Sequence, residues 1–184
     1  MSSIIFKQEL NIKKIDSVSF LKSLSQELKD DPNWFNDLEQ LQNNKIALHL
    51  AILHEPYLDL ILKGKKTIET RFSIHRQAPY EQISRDDIIL LKKTSGPIVG
   101  LCRVSDCWFY KLNKDTLYQI KNEFFKEILV KDEQFWEEKK HSSYASLIRV
   151  RDAFSLNYPL EFPKRDRRGW VILMPRNYNT KLNV

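Results

Sequence analysis

The chain has 184 residues, 42% hydrophobic and 29% charged, with a formal charge of +6; this supports a core that needs no disulfide or metal and argues against disorder over most of the chain. No apolar stretch approaches membrane-spanning length and no basic segment precedes a sustained apolar run at the N-terminus, so neither a membrane anchor nor a secretory signal is expected and a cytoplasmic protein is.

Residues 1–44 read as an N-terminal helical extension. An extended run over 4–12 leads to a helix over 17–28, capped by Asp16 or Ser17, with Phe20, Leu21, Leu24 and Leu28 as its apolar stripe. A second helix follows Pro32, with Trp34, Phe35, Leu38 and Leu41 at helical spacing. Two amphipathic helices need cover, and packing on the rest of the chain is favoured over recruitment of a protein partner. The extension holds five basic and seven acidic side chains, against 25 and 17 in residues 45–184, so the positive field belongs to the second part.

From Ile46 the pattern becomes strand (46–53), helix (56–63) and strand (67–72). Pro56 suits a first helical turn, and Gly64 suits the left-handed position that stops a helix. In the second strand Ile68, Thr70 and Phe72 share one face, and Thr67, Glu69 and Arg71 the other. A loop with Arg76, Pro79 and Arg85 precedes a strand over 88–92, and Ser95-Gly96-Pro97 turns it into a strand over 98–109. There Ile98, Cys102, Val104 and Trp108 are expected on one face, and Cys102 and Cys107, at an odd separation, on opposite faces as free thiols. An amphipathic helix over 114–129 carries Leu117, Ile120, Phe124 and Ile128, and 132–139 continues helical. A strand over 144–154, a loop with Pro159 and Pro163 and a last strand over 170–174 complete the chain. About six strands interleaved with short helices, without regular βαβ alternation, define an α+β fold with a curled sheet.

The run Gly64-Lys65-Lys66-Thr67-Ile68-Glu69-Thr70-Arg71 places cations and a carboxylate where a buried helix turns into a strand. Lysine offers a compact charge whose pKa falls on burial, arginine a planar fork for a phosphate or base edge, and glutamate an acceptor for an exocyclic amine. A second cationic segment, Lys164-Arg165-Asp166-Arg167-Arg168-Gly169-Trp170, leads into the last strand. Its arginines can neutralise phosphates, and Trp170 can stack on a base or belong to the core. Gly169, in a chain with only four glycines, points to a close backbone approach. Tyr57, Arg103, Arg149 and Arg151 are lesser candidates, the last two sharing a strand face. The four histidines and two cysteines show no metal-site spacing, so no metal or cofactor is expected. The absence of a glycine-rich phosphate loop and of a Gly-x-Ser-x-Gly elbow sets aside the common nucleotide hydrolases and serine esterases.

The pattern Gly64-x-Lys66-x-x-Glu69-x-Arg71 after an apolar helix resembles the signature of the ASCH domain family, a branch of the PUA-like β-barrels. The resemblance implies a PUA-like mixed β-barrel over 45–184 with short peripheral helices and a cleft for RNA or a nucleobase-containing ligand. It makes Lys66, Glu69, Arg71, Lys164, Arg167, Arg168 and Trp170 the expected binding residues. The alternative it carries is a hydrolase acting on an N-acylated nucleoside amide or an RNA phosphodiester through Lys66 and Glu69. Similar amidohydrolases use a lysine, a threonine nucleophile and a downstream glutamate. Here Lys66 matches the lysine, Glu69 occupies the nucleophile position, and Glu123 and Glu127 both fit the downstream acid.

Overall fold

The computed structural model describes residues 17–29, 31–130, 132–162 and 167–177. The extended run expected over 4–12 and the candidate Lys164 lie outside them. The order of elements is α1 (Ser17–Leu28), α2 (Pro32–Gln42), β1 (Leu48–Leu53), α3 (Tyr57–Leu62), β2 (Ile68–Ser73), β3 (Ile88–Lys93), β4 (Ile98–Lys111), α4 (Lys114–Ile128), α5 (Glu133–Lys139), β5 (Tyr144–Leu160) and β6 (Trp170–Met174). The six strands form one curled mixed sheet in the order β2-β5-β4-β3-β1-β6. Only β1 and β3 run parallel; every other pairing is antiparallel. The fold is α+β, as the pattern of elements predicts.

The pleat sends alternate side chains to two faces, and the sheet buries both. On the inner face Ala51, Leu53, Ile89, Leu91, Val104 and Ile148 pack with Leu58 and Ile61 of α3. The outer face is covered in two places. Leu24 and Leu28 of α1 and Trp34 and Leu41 of α2 lie on Leu48, Leu50, Ile88, Leu90 and Leu101. Leu117, Ile120 and Ile128 of α4 and Trp136 of α5 lie on Ile68, Ala145 and Leu147. Each of the leucines and isoleucines among them contributes about 1.5–3 kcal/mol of burial.

Arg103 ties α2 to the sheet. Its Nε donates to Asp37 Oδ2 at 2.6 Å, Nη1 to Asp152 Oδ2 at 2.9 Å and Nη2 to the Asn33 carbonyl at 2.5 Å. The guanidinium also lies 3.8 Å from the centre of the Trp34 ring. A buried cation so completely paired is structural, which removes Arg103 from the candidates for ligand contact.

Two expectations about strands fail, for identifiable reasons. Ile98 packs under α1 and α2, Cys102 and Val104 on the inner face, and Trp108 under α4, so these four do not share a face. The register of β4 shifts between Ile98 and Gly100 and again between Val104 and Asp106, and each extra residue reverses the alternation. The same shift brings Cys107 to the inner cluster that holds Cys102; both thiols are free. The other departure is β5, which runs through Pro159 to Leu160 instead of ending at 154. Among the described residues no strand pairs with its β2 side beyond Arg149, so Pro159 lies in a stretch with one open edge, where proline is tolerated.

Candidate functional site

Helix α3 delivers the motif. Gly100 makes room for the helix, since a Cβ there would meet Leu62 Cδ2 at 2.5 Å and the Phe154 carbonyl at 2.6 Å. The helix ends in a Schellman motif: Gly64 N–H donates to Ile61 O, Lys65 N–H to Leu60 O, both at 2.9 Å, and Gly64 takes a φ of 66°. That reversal turns the chain directly into Lys66 and β2.

Lys66 is 3% exposed. Its Nζ donates to the Ile68 carbonyl at 2.5 Å and the Ile128 carbonyl at 3.0 Å and forms an ion pair with Glu69 Oε2 at 3.7 Å. Burial lowers its pKa, with the Glu69 carboxylate opposing that shift and the Arg71 cation adding to it. Tyr57 lies beneath, its ring centre 5.6 Å from Nζ. Lys66 is therefore a strut that fixes Glu69.

Glu69 and Arg71 face the inner side, opposite Ile148 and Ser146 of β5, while Ile68 and Phe72 turn to α4, as the alternation predicts. Arg71 crosses from edge strand β2 toward the other edge of the sheet. Its Nη1 donates to the Gly169 carbonyl and Nη2 to the Ile52 carbonyl, each at 3.1 Å. Nε lies 3.0 Å from Glu69 Oε1 without being aimed at it, and this buried N–H has no hydrogen-bond acceptor. A Cβ at Gly169 would come within 3.0 Å of Arg71 Nη1, the close approach that the glycine signals.

Trp170 is 3% exposed and belongs to the inner cluster, with the Arg71 guanidinium 5.1 Å from its ring centre. It backs the arginine. Its Nε1–H donates to His49 Nδ1 at 3.1 Å, which leaves the neutral imidazole's proton on Nε2, 3.3 Å from Asp87 Oδ2. Asp87 also accepts from the Ala47 amide at 2.7 Å, the Ser84 amide at 2.8 Å and Arg176 Nη2 at 2.8 Å. Burial opposes ionisation of Asp87, yet the bonds from His49, Arg176 and Ala47 outweigh it and hold the carboxyl below its ordinary range. Sequence reasoning missed this chain of contacts. A histidine inside an apolar strand was its only trace.

The remaining candidates divide. Lys66, Glu69, Arg71 and Trp170 meet in space, and Arg167 and Arg168, both exposed, adjoin Gly169. Arg149 lies opposite Ile68 on the α4 side, paired with Glu127 at 2.7 Å and set over the Trp108 ring at 4.9 Å. Arg151 is engaged by Asp86 at 3.0 Å and by Asp152. Neither arginine joins the inner face. Thr70 lies opposite Leu147, a residue of the α4 cluster, so it too faces away from Glu69. Among the described residues no group of three or more His, Cys, Asp or Glu is placed to hold a metal ion. None of the described helices is long and apolar enough to cross a membrane.

A curled six-stranded sheet with helices on its outer face and an ionic lysine-glutamate-arginine motif on its rim defines a PUA-like domain. The ASCH domain family matches residues 52–162, and the chain belongs to that family. Among solved structures the chain is similar to an ASCH protein from Zymomonas mobilis, with 16% identity, a TM-score of 0.55 and coverage of 71% of this chain and 88% of that one. A point mutant of that protein gives 15% identity, a TM-score of 0.55 and coverage of 70% and 89%. At such identities the likeness concerns the fold. No curated protein matches the chain.

Proposed function

We propose that this domain binds RNA or another nucleobase-containing ligand at the part-exposed Arg71 guanidinium and the buried Glu69 carboxylate beside it. The observation that carries the reading is the meeting of Glu69 and Arg71, from one edge of the sheet, with Gly169 and Trp170 at the other. Glu69 is held by Lys66, which suits it to accept from the exocyclic amine of a base. Arg71, 21% exposed at its side chain, presents a guanidinium beside it. Arg167 and Arg168, exposed and just ahead of Gly169 in the chain, offer charge for phosphates, and Lys164 is proposed as a further phosphate-binding residue. The test is oligonucleotide binding at a series of salt concentrations. Affinity is expected to fall steeply with salt, and Arg71→Ala and Glu69→Gln to weaken it at fixed salt in protein that still folds. No binding of RNA or DNA at low salt overturns the reading.

A second reading, hydrolysis of an N-acylated nucleoside amide or an RNA phosphodiester, is favoured by one observation: a buried lysine of lowered pKa stands 3.7 Å from a carboxylate. Glu69 would act as general base and Lys66 would stabilise developing negative charge. The threonine nucleophile of the similar amidohydrolases has no counterpart at its own position, because Glu69 occupies it, and Thr70 faces α4. Of the two downstream acids, Glu127 is paired with Arg149 and Glu123 accepts from Gln119. Acylcytidines and RNA left intact by both the wild type and Glu69→Gln would overturn this reading.

A further inference from the structure

We infer that Arg76, Tyr80, Lys111 and Tyr144 form a second nucleotide subsite beside Arg71, which makes the ligand a single strand of two or more nucleotides. This rests on the binding reading above and deepens it. The register of β2 and β5 sets Arg71 opposite Ser146 and Ser73 opposite Tyr144. Tyr144 therefore stands on the same inner face as Arg71, two strand positions away, or about 7 Å. That is the order of one nucleotide step in an unstacked strand. On the other side of β5, Lys111 lies opposite Tyr144 and is exposed, which adds a second cation to the same face.

The loop between β2 and β3 completes the cluster. Arg76 is set over two rings, with Cζ 5.4 Å from the centre of Tyr80 and 6.0 Å from that of Tyr144. The two tyrosine rings stand 5.0 Å apart and nearly perpendicular, at 70°. Tyr80 is 7% exposed and rests on Phe109 at 5.5 Å, so it is the fixed floor. Tyr144 is half-buried, while the Arg76 side chain is 63% exposed. Arg76 pairs with Glu81 at 2.8 Å, but Glu81 is itself 51% exposed. A surface pair of that kind is held by little and exchanges readily for a phosphate.

A cation stacked on tyrosines could serve only to fasten this loop to the sheet. Two features favour a ligand: a second cation from a different strand beside the same tyrosine, and alignment with Glu69 and Arg71 along one face. Aromatic rings interleaved with cations along a groove are what a single strand of nucleic acid needs, because each base has a face to stack and each linkage a charge to neutralise.

The test compares nucleoside monophosphates, dinucleotides and tetranucleotides, in ribose and deoxyribose forms, by titration calorimetry or fluorescence. The wild type is expected to bind a dinucleotide on the order of tenfold more tightly than the monophosphate. In Arg76→Ala and Tyr144→Leu, checked for folding by circular dichroism, that ratio is expected to fall close to one. A gain confined to ribonucleotides makes the strand RNA, and a gain with both sugars makes it any single strand; either supports the subsite. A wild type that binds monophosphates through Arg71 but gains nothing from a second nucleotide overturns the subsite and leaves the first reading standing. Variants that keep the full ratio also overturn it. If the wild type binds none of these ligands, both readings fall.

Discussion

The guanidinium of Arg71 and the carbonyl of Gly169 meet at 3.1 Å, joining β2, at one edge of the sheet, to the residue that precedes β6 at the other. The same carbonyl accepts from the Ile52 amide at 3.0 Å, and Ile52 returns its own carbonyl to Arg71 at 3.1 Å. A side chain thus bridges two edges that no backbone ladder connects. In Gly169→Ala the new Cβ would sit 3.0 Å from Nη1 of an arginine that is already anchored. The guanidinium must give by a few tenths of an ångström against its two carbonyl bonds, and oligonucleotide affinity is expected to fall with that displacement. Urea unfolding and binding measured together check this; unchanged values for both would show that Arg71 is not fixed there.

Lys66→Met keeps most of the volume and removes every donor. The Ile68 and Ile128 carbonyls lose their partner, and Glu69 is left with Arg71 alone. Breaking a buried pair of this kind costs about 3–5 kcal/mol. Chemical denaturation is the measurement, and a loss below 1 kcal/mol would mean that the lysine is not the strut described.

Asp87 supplies a pH dependence. Its carboxyl ionises more readily in the folded protein than in the unfolded chain, so between the lowered folded value and the ordinary 3.8 the unfolded state binds more protons. The stabilisation is fully present above 3.8 and is lost as pH falls toward the folded value. Stability followed from pH 5 downward should therefore drop more steeply in the wild type than in Asp87→Asn. Equal slopes would contradict the assignment.

His49→Phe tests the neighbouring link. The variant leaves the buried Trp170 indole N–H without its acceptor and removes one donor from Asp87. An orphaned buried donor costs about 1–3 kcal/mol. Thermal unfolding reports the loss, and tryptophan fluorescence reports the altered indole environment.

The order of elements and the inward aim of Glu69 and Arg71 were legible because they rest on short-range periodicity and on turn chemistry at Gly64. Gly169 gave notice of a close approach but could not say that Arg71 was the group approaching. What escaped was set by register and distance. No local pattern marks the shifts that redirect Ile98 and Cys107, since a bulge is decided by the partner strand. The chain from Trp170 through His49 to Asp87 joins residues far apart in sequence, each ordinary where it stands. Burial of Lys66 depended on α4 arriving with the Ile128 carbonyl, more than sixty residues later.

Removal of residues 1–44 is expected to abolish solubility. Leu48, Leu50, Ile88, Leu90 and Leu101 would lose the cover of α1 and α2, and Arg103 would keep its charge without Asp37. Size-exclusion chromatography and light scattering should show aggregates. A stable monomeric remainder would instead release the segment for a partner.

Strands β4 and β5 send side chains into all three clusters and make the longest pairing in the sheet. Both helical caps are therefore fastened to a shared spine, and neither can melt without loosening the ribbon that carries the other. Heating should take the molecule apart in one step, with a single calorimetric peak. For the same reason a lesion under α1 would be felt at the far rim, where the ligand is proposed to sit, by residues that never touch it.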